Sequence, residues 1–122
     1  MRASSGAFGK RVGDKRFAIK SALDLERTMA GITTKKMSLD EAKALGIDSW
    51  SSWECEPSTF DWFYPNSETA YVFEGDVVVR TPDGSEVNIT GGMLVTFPAG
   101  LECTWEVRKK ISKVYTFDFQ GD

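Results

Sequence analysis

The chain has 122 residues, 41% of them hydrophobic and 12% aromatic, which suits one packed domain and is too short for two. No apolar run approaches the ~18 residues of a membrane span, and Cys55 and Cys103, far apart and without CxxC spacing, make neither a disulfide framework nor a zinc pattern. The net charge of −3 divides unevenly: residues 1–36 carry nine Lys/Arg against three acids, the rest six against fifteen, so a basic leader precedes an acidic body.

Residues 1–13 are rich in Ser, Gly, Ala and basic side chains, with no apolar segment of signal-peptide type. This composition cannot build a core and predicts a loose arm. It suits an organelle transit peptide or a plain flexible extension equally well. From Lys15 to Ala30 the spacing of Ala18, Ala22, Leu25, Met29 and Ile32 predicts an amphipathic helix, with Asp14 as N-cap and Gly31 beyond its end. Residues 1–36 are therefore read as a basic N-terminal extension and residues 37–122 as the folded domain.

The second predicted helix spans Met37–Gly46. Ser38 and Glu41 have capping-box spacing, Leu39, Ala42 and Leu45 share one face, and Gly46 ends the helix. Trp50, Trp53, Phe60, Trp62, Phe63 and Tyr64 then crowd into fifteen residues broken by Pro57 and Pro65, a density typical of the core and rim of a small β-domain. The strands expected next are Ala70–Phe73 and Val77–Thr81 about a glycine turn at Gly75. Pro82-Asp83-Gly84 turns into Glu86–Ile89, Gly91-Gly92 into Met93–Phe97, and Pro98-Ala99-Gly100 into Glu102–Val107. Arg108-Lys109-Lys110 is expected as a charged loop before a last strand, Val114–Phe119. Seven or eight short strands with Gly/Pro punctuation predict an all-β barrel or sandwich.

Several of these segments resemble the cupin superfamily. Glu68 precedes Gly75 by seven positions, as at the end of the first cupin motif, and Gly92-x5-Pro98-x-Gly100-x2-Cys103 is similar to the second motif, G-x5-P-x-G-x2-H. Phe60-Asp61-Trp62, Glu68-Thr69-Ala70-Tyr71 and Cys103-Thr104-Trp105-Glu106-Val107 are similar to the small single-domain cupins loosely grouped with the cupin domain of (S)-ureidoglycine aminohydrolase. The resemblance runs from about Met37 to Phe117. It implies an RmlC-like jelly-roll barrel with short N-terminal helices, often dimeric, and a plastid address is compatible with plant members of the group. The family's metal histidines are missing. Their slots fall on Trp62 and Tyr64, or on Asp61 and Phe63 with a longer spacer, and on Cys103, while Lys113-Val114-Tyr115 stands where many relatives read Lys-His-Tyr. Only Glu68 matches the ligand set, so neither a metal nor another cofactor is expected.

Glu68, with Tyr64 and Cys103 as helpers, is the candidate catalytic group. Glu68 also suits a structural role, paired with Lys113 or Arg80. Trp62, Tyr71, Phe97, Trp105 and Tyr115 are the candidate lining of a ligand pocket. The preferred reading is a non-metal cupin that serves as a structural or interaction subunit, or binds a small molecule in its barrel. The alternative is an enzyme acting on a small polar metabolite, of ureide or sugar-acid type, with Glu68 as acid/base. A further alternative is a nucleic-acid-associated subunit contacting through the basic arm, since the acidic body would repel phosphate. Homodimerisation or incorporation in a larger assembly is expected, in a soluble intracellular setting, cytoplasmic or organellar.

Overall fold

The computed structural model describes residues 26–119. The expected arm at 1–13 and most of the helix expected over 15–30 lie outside these residues. Eight antiparallel strands bend around one core: β1 (Arg27–Met29), β2 (Ile32–Lys36), β3 (Ser51–Cys55), β4 (Ser58–Tyr64), β5 (Glu68–Arg80), β6 (Glu86–Thr90), β7 (Met93–Phe97) and β8 (Leu101–Phe117). Strand order is β1-β2-β7-β5-β8-β3, with β6 on the second half of β5 and β4 on the first half of β8. The core draws Ile32, Tyr64, Val72, Val77, Ile89, Val95, Phe97, Trp105 and Ile111 from six of these strands. This is an all-β antiparallel architecture, as the resemblance implied, and the described part contains one short α-helix and one 3-10 turn. None of the described helices is long and apolar enough to cross a membrane.

The N-terminal edge departs from the expected pattern. Residues 27–36 form a hairpin, with Met29 opposite Ile32 across Ala30 (φ 55°) and Gly31 (φ 84°), and β2 continues into the sheet beside β7. The four-and-three spacing of Leu25, Met29 and Ile32 looks helical, but tertiary pairing overrides so short a run. The boundary expected at 36/37 accordingly falls next to a strand of the sheet.

The capping box forms as expected. Ser38 N donates to Glu41 Oε1 at 3.0 Å, Glu41 N donates to Ser38 Oγ at 3.1 Å, and the helix, α1, runs Leu39–Ala44. Gly46 (φ 94°) leads into a 3-10 turn, Ile47–Ser49. Helix α1 and this turn cover the outer face of the sheet, where Ala42, Ile47 and Tyr71 are buried together. The Tyr71 hydroxyl donates to the Met37 carbonyl at 2.9 Å, tying the helix entrance to β5.

Two expected breaks are continuous strand. Gly75 (φ 138°) is a bulge inside the 13-residue β5, not a turn between strands, and the register with β8 shifts at Glu74, Asp76 and Val77. The bulge changes which alternate residues face inward, so that Val72 and Val77 both reach the core although five positions apart. Opposite it, Arg108-Lys109-Lys110 lies within β8 at the corner where the long strands bend. All three residues are exposed there, which accounts for their loop-like composition. The Pro82-Asp83-Gly84, Gly91-Gly92 and Pro98-Ala99-Gly100 turns stand where expected.

Candidate functional site

Strand alternation places Phe60, Trp62 and Tyr64 of β4 on the inner side, and Asp61 and Phe63 on the outer one. The two possible registers of the histidine slots are thereby resolved in favour of Trp62 and Tyr64. Beside them on the paired first half of β8 are Cys103, opposite Trp62 in the register, and Trp105, opposite Phe60. Glu68, at the start of β5, and Lys113 and Tyr115, of the second half of β8, complete the site. A partly open cavity of about 150 Å³ lies here, walled by Trp53, Phe60, Trp62, Tyr64, Trp105, Tyr115 and Phe117 and carrying Glu68 and Lys113.

The polar centre is a buried ion pair. Lys113 Nζ donates to Glu68 Oε2 at 2.7 Å, and the two side chains are only 6% and 7% exposed. Aromatic rings surround the ammonium, with Trp105, Trp53, Tyr115 and Phe97 centroids at 5.0, 5.1, 5.5 and 6.0 Å. Burial pushes the Lys113 pKa down, and the Glu68 charge and hydrogen bond oppose that shift. Arg80, the other partner considered for Glu68, lies on the outside, where it pairs with Glu106 at 2.7 Å and Glu86 at 3.0 Å.

Tyr64 lies flat on Phe97, ring centroids 4.6 Å apart. Burial, then the neighbouring Glu68 carboxylate, hold its phenol protonated above the usual range. The Cys103 thiol is pushed up to about 11, chiefly by burial and secondarily by Asp61, and its sulfur lies 3.7 Å from the Trp62 carbonyl oxygen. A protonated thiol is a poor nucleophile. We therefore expect thiol-reagent titration of native protein at pH 8 to modify the half-buried Cys55 first, with Cys103 at least ~10-fold slower until denaturant is added. Equal rates would contradict this assignment.

Trp105 contributes the remaining polar group. Its indole N–H is buried with the rest of the residue, which is 3% exposed. It completes no hydrogen bond, and it is the one buried side-chain nitrogen or oxygen among the described residues left without a partner. Such groups are rare in folded proteins because each forfeits its hydration without replacement.

The expected site residues thus divide. Glu68, Tyr64, Trp105, Tyr115 and the half-exposed Trp62 surround the cavity, and Cys103 and Phe97 pack just behind its walls. Tyr71 does not belong to it, since it is buried on the opposite face of β5 under α1. The walls not anticipated are Trp53, Phe60 and Phe117, together with Lys113 as a cavity residue in its own right. The available signal was Lys113's position two residues from both Ile111 and Tyr115, a lone cation on an otherwise apolar face.

The donors do not fit a metal. Of the four side chains at the ligand slots, two are aromatic, Cys103 holds its proton, and Glu68 already faces an ammonium. No group of three His, Cys, Asp or Glu side chains among the described residues converges on a point. Lys113 supplies the positive charge at this carboxylate.

At the edge of the barrel, Asp61, Trp62, Phe63, Arg80, Glu102 and Cys103 border a wider, more open depression of about 700 Å³, so Trp62 lines both spaces and Cys103 only this one. Its arginine is committed to Glu86 and Glu106, and no unpartnered buried group faces it.

Residues 42–115, more than half of the chain, match the model of the EutQ-like cupin domain. A DUF861 family protein from Thermotoga maritima is 42% identical over 70% of this chain and 98% of its own, with a TM-score of 0.68. A DUF861 family protein from Pseudomonas syringae is 22% identical over 70% of this chain and 37% of its own, with a TM-score of 0.51. The EutQ protein of Clostridium difficile is 19% identical over 78% of this chain and 62% of its own, with a TM-score of 0.50. The last two likenesses speak to the fold alone. No curated protein matches the sequence. By fold and by sequence, the chain belongs to the EutQ-like cupin domain family.

Proposed function

We propose that this cupin binds a small, uncharged carbonyl compound (an aldehyde, ketone, amide or ureide) inside its barrel, without a metal ion. The observation that carries the reading is the unpartnered N–H of Trp105, whose ring walls the aromatic cavity that holds the Glu68–Lys113 pair. A donor without an acceptor calls for a ligand oxygen, and flat rings favour a flat, partly apolar body. The pair itself is electrically balanced. A carboxylate ligand would bring a second negative charge beside Glu68, whereas a neutral carbonyl adds none. The cavity, about 150 Å³, is well below the ~300–1,000 Å³ of drug-sized sites, so the ligand is small.

Three of the four tryptophans line this cavity, so binding is readable by intrinsic fluorescence. Titration with acetamide and benzamide should give saturable quenching, with benzoate weaker than benzamide. Trp105→Phe, which keeps the ring and removes the N–H, should weaken benzamide about fivefold or more. Non-saturating quenching that is identical in wild type and Trp105→Phe would refute the reading.

A second reading, an interaction module, is favoured by the half-exposed Trp62, Phe63 and Phe117. Light scattering over a concentration series tests it: self-association lost in Trp62→Ser supports it, and a concentration-independent monomer argues against a homodimer through this surface.

A further inference from the structure

The barrel reading leaves Lys113 with more chemistry than charge balance requires. Its amine lines the cavity, is shielded from bulk water, and has a carboxylate 2.7 Å away to take its proton. The four neighbouring rings keep their centroids 5.0 Å or more from Nζ, whose hydrogen bond goes to Glu68. Trp105 N–H is the donor a carbonyl oxygen would require.

We propose that Lys113 is an imine-forming residue, which captures small aldehydes or ketones covalently in the barrel, with Glu68 as its proton acceptor and donor. The inference rests on the carbonyl-binding reading above and extends it from reversible contact to bond formation. The ammonium passes one proton to Glu68, and the freed Nζ lone pair attacks the carbonyl carbon. The C–N bond forms as the C=O π bond opens, and a proton moves from nitrogen to oxygen to give the carbinolamine. Glu68 returns its proton to the hydroxyl, water leaves, and the nitrogen lone pair closes the C=N bond. One ammonium and one carbonyl compound become one protonated imine and one water, with no change in oxidation level. Burial, which favours the neutral amine, assists the first step. An amide bound in the same place would stay intact, because its carbonyl carbon is a poor electrophile.

The test uses the wild-type full chain, 4-hydroxybenzaldehyde at a ratio near one, and sodium cyanoborohydride to reduce any imine to a stable secondary amine. Peptide mapping by mass spectrometry then compares Lys113 with the eight other lysines. We expect Lys113 to be labelled at least ~10-fold faster than any other, with benzamide protecting it. Glu68→Gln should slow that labelling at least ~10-fold while leaving the other lysines unchanged. Should that variant not fold, the wild-type map and its protection by benzamide decide alone. Labels spread over exposed lysines with Lys113 unmodified would overturn the proposal. If benzamide binds but Lys113 stays unmodified, the imine fails and the carbonyl-binding reading stands. If benzamide neither binds nor protects and Lys113 is unlabelled, both fail.

Discussion

Lys113→Met is expected to lower the unfolding free energy by about 3–5 kcal/mol, the cost of leaving one member of a buried ion pair without its partner. Methionine matches much of the lysine stem and keeps the aromatic contacts, so lost packing is a minor part of the effect. What remains is a Glu68 carboxylate only 6% exposed as a residue, left without the cation that holds it at 2.7 Å. The carboxyl can escape by taking up a proton, which itself consumes free energy at neutral pH. Glu68→Leu should be comparably damaging, because it strands the ammonium instead. Combining the two, Glu68→Leu with Lys113→Met, should recover most of the loss, since buried pairs are often replaced by apolar groups at little cost. Urea unfolding with an unchanged m-value is the measurement. A loss below ~1 kcal/mol in both single variants would mean that the pair is solvated, and its burial would have to be abandoned.

Gly75→Ala is the second large effect, about 3 kcal/mol. A Cβ there would sit 2.9 Å from the Ile111 Cα and 3.0 Å from its Cβ, on a residue with φ at 138°. Ile111 is fully buried and its backbone is held in β8, so neither side can yield cheaply. Gly84→Ala is the informative comparison. Its φ is 89° but nothing lies within 4 Å of the added carbon, so only backbone strain of about 1–2 kcal/mol applies. Equal losses in the two variants would show that strain alone, and not the close approach of β5 to β8, sets the cost.

The turns and the capping box were readable in the sequence because each depends on two to four neighbouring residues with fixed backbone demands. The inner face of β4 was readable in part: Phe60, Trp62 and Tyr64 alternate, but alternation alone does not say which set faces inward. The bulge at Gly75 was not readable, because a glycine between two apolar runs has the same composition whether the chain reverses or merely bends. That ambiguity carried over to Tyr71. On β5 it points away from the cavity, and only the cover provided by α1 makes that face a second apolar site. The helical spacing of Met29 and Ile32 gave way to a hairpin whose second strand pairs with β7, an interaction about sixty residues away that no local window contains. Of the site, Glu68 and its aromatic surroundings could be anticipated, and Lys113 was visible as a partner. The unsatisfied indole of Trp105 needed atomic positions.

The two long strands have a consequence for how ligand binding would be felt. Strands β5 and β8 pair along nearly their whole lengths, from Glu68 opposite Phe117 to Arg80 opposite Thr104, and together they hold β3, β4, β6 and β7. The cavity's charged pair is split between these same two strands. Releasing one from the other therefore breaks the site and detaches most of the sheet in a single event. The amides flanking Glu68 and Lys113 should exchange hydrogen only through global opening, and any barrel ligand should slow exchange throughout the sheet by the same factor. Occupancy of the barrel would then be legible at the far end of β6 as clearly as beside the ligand.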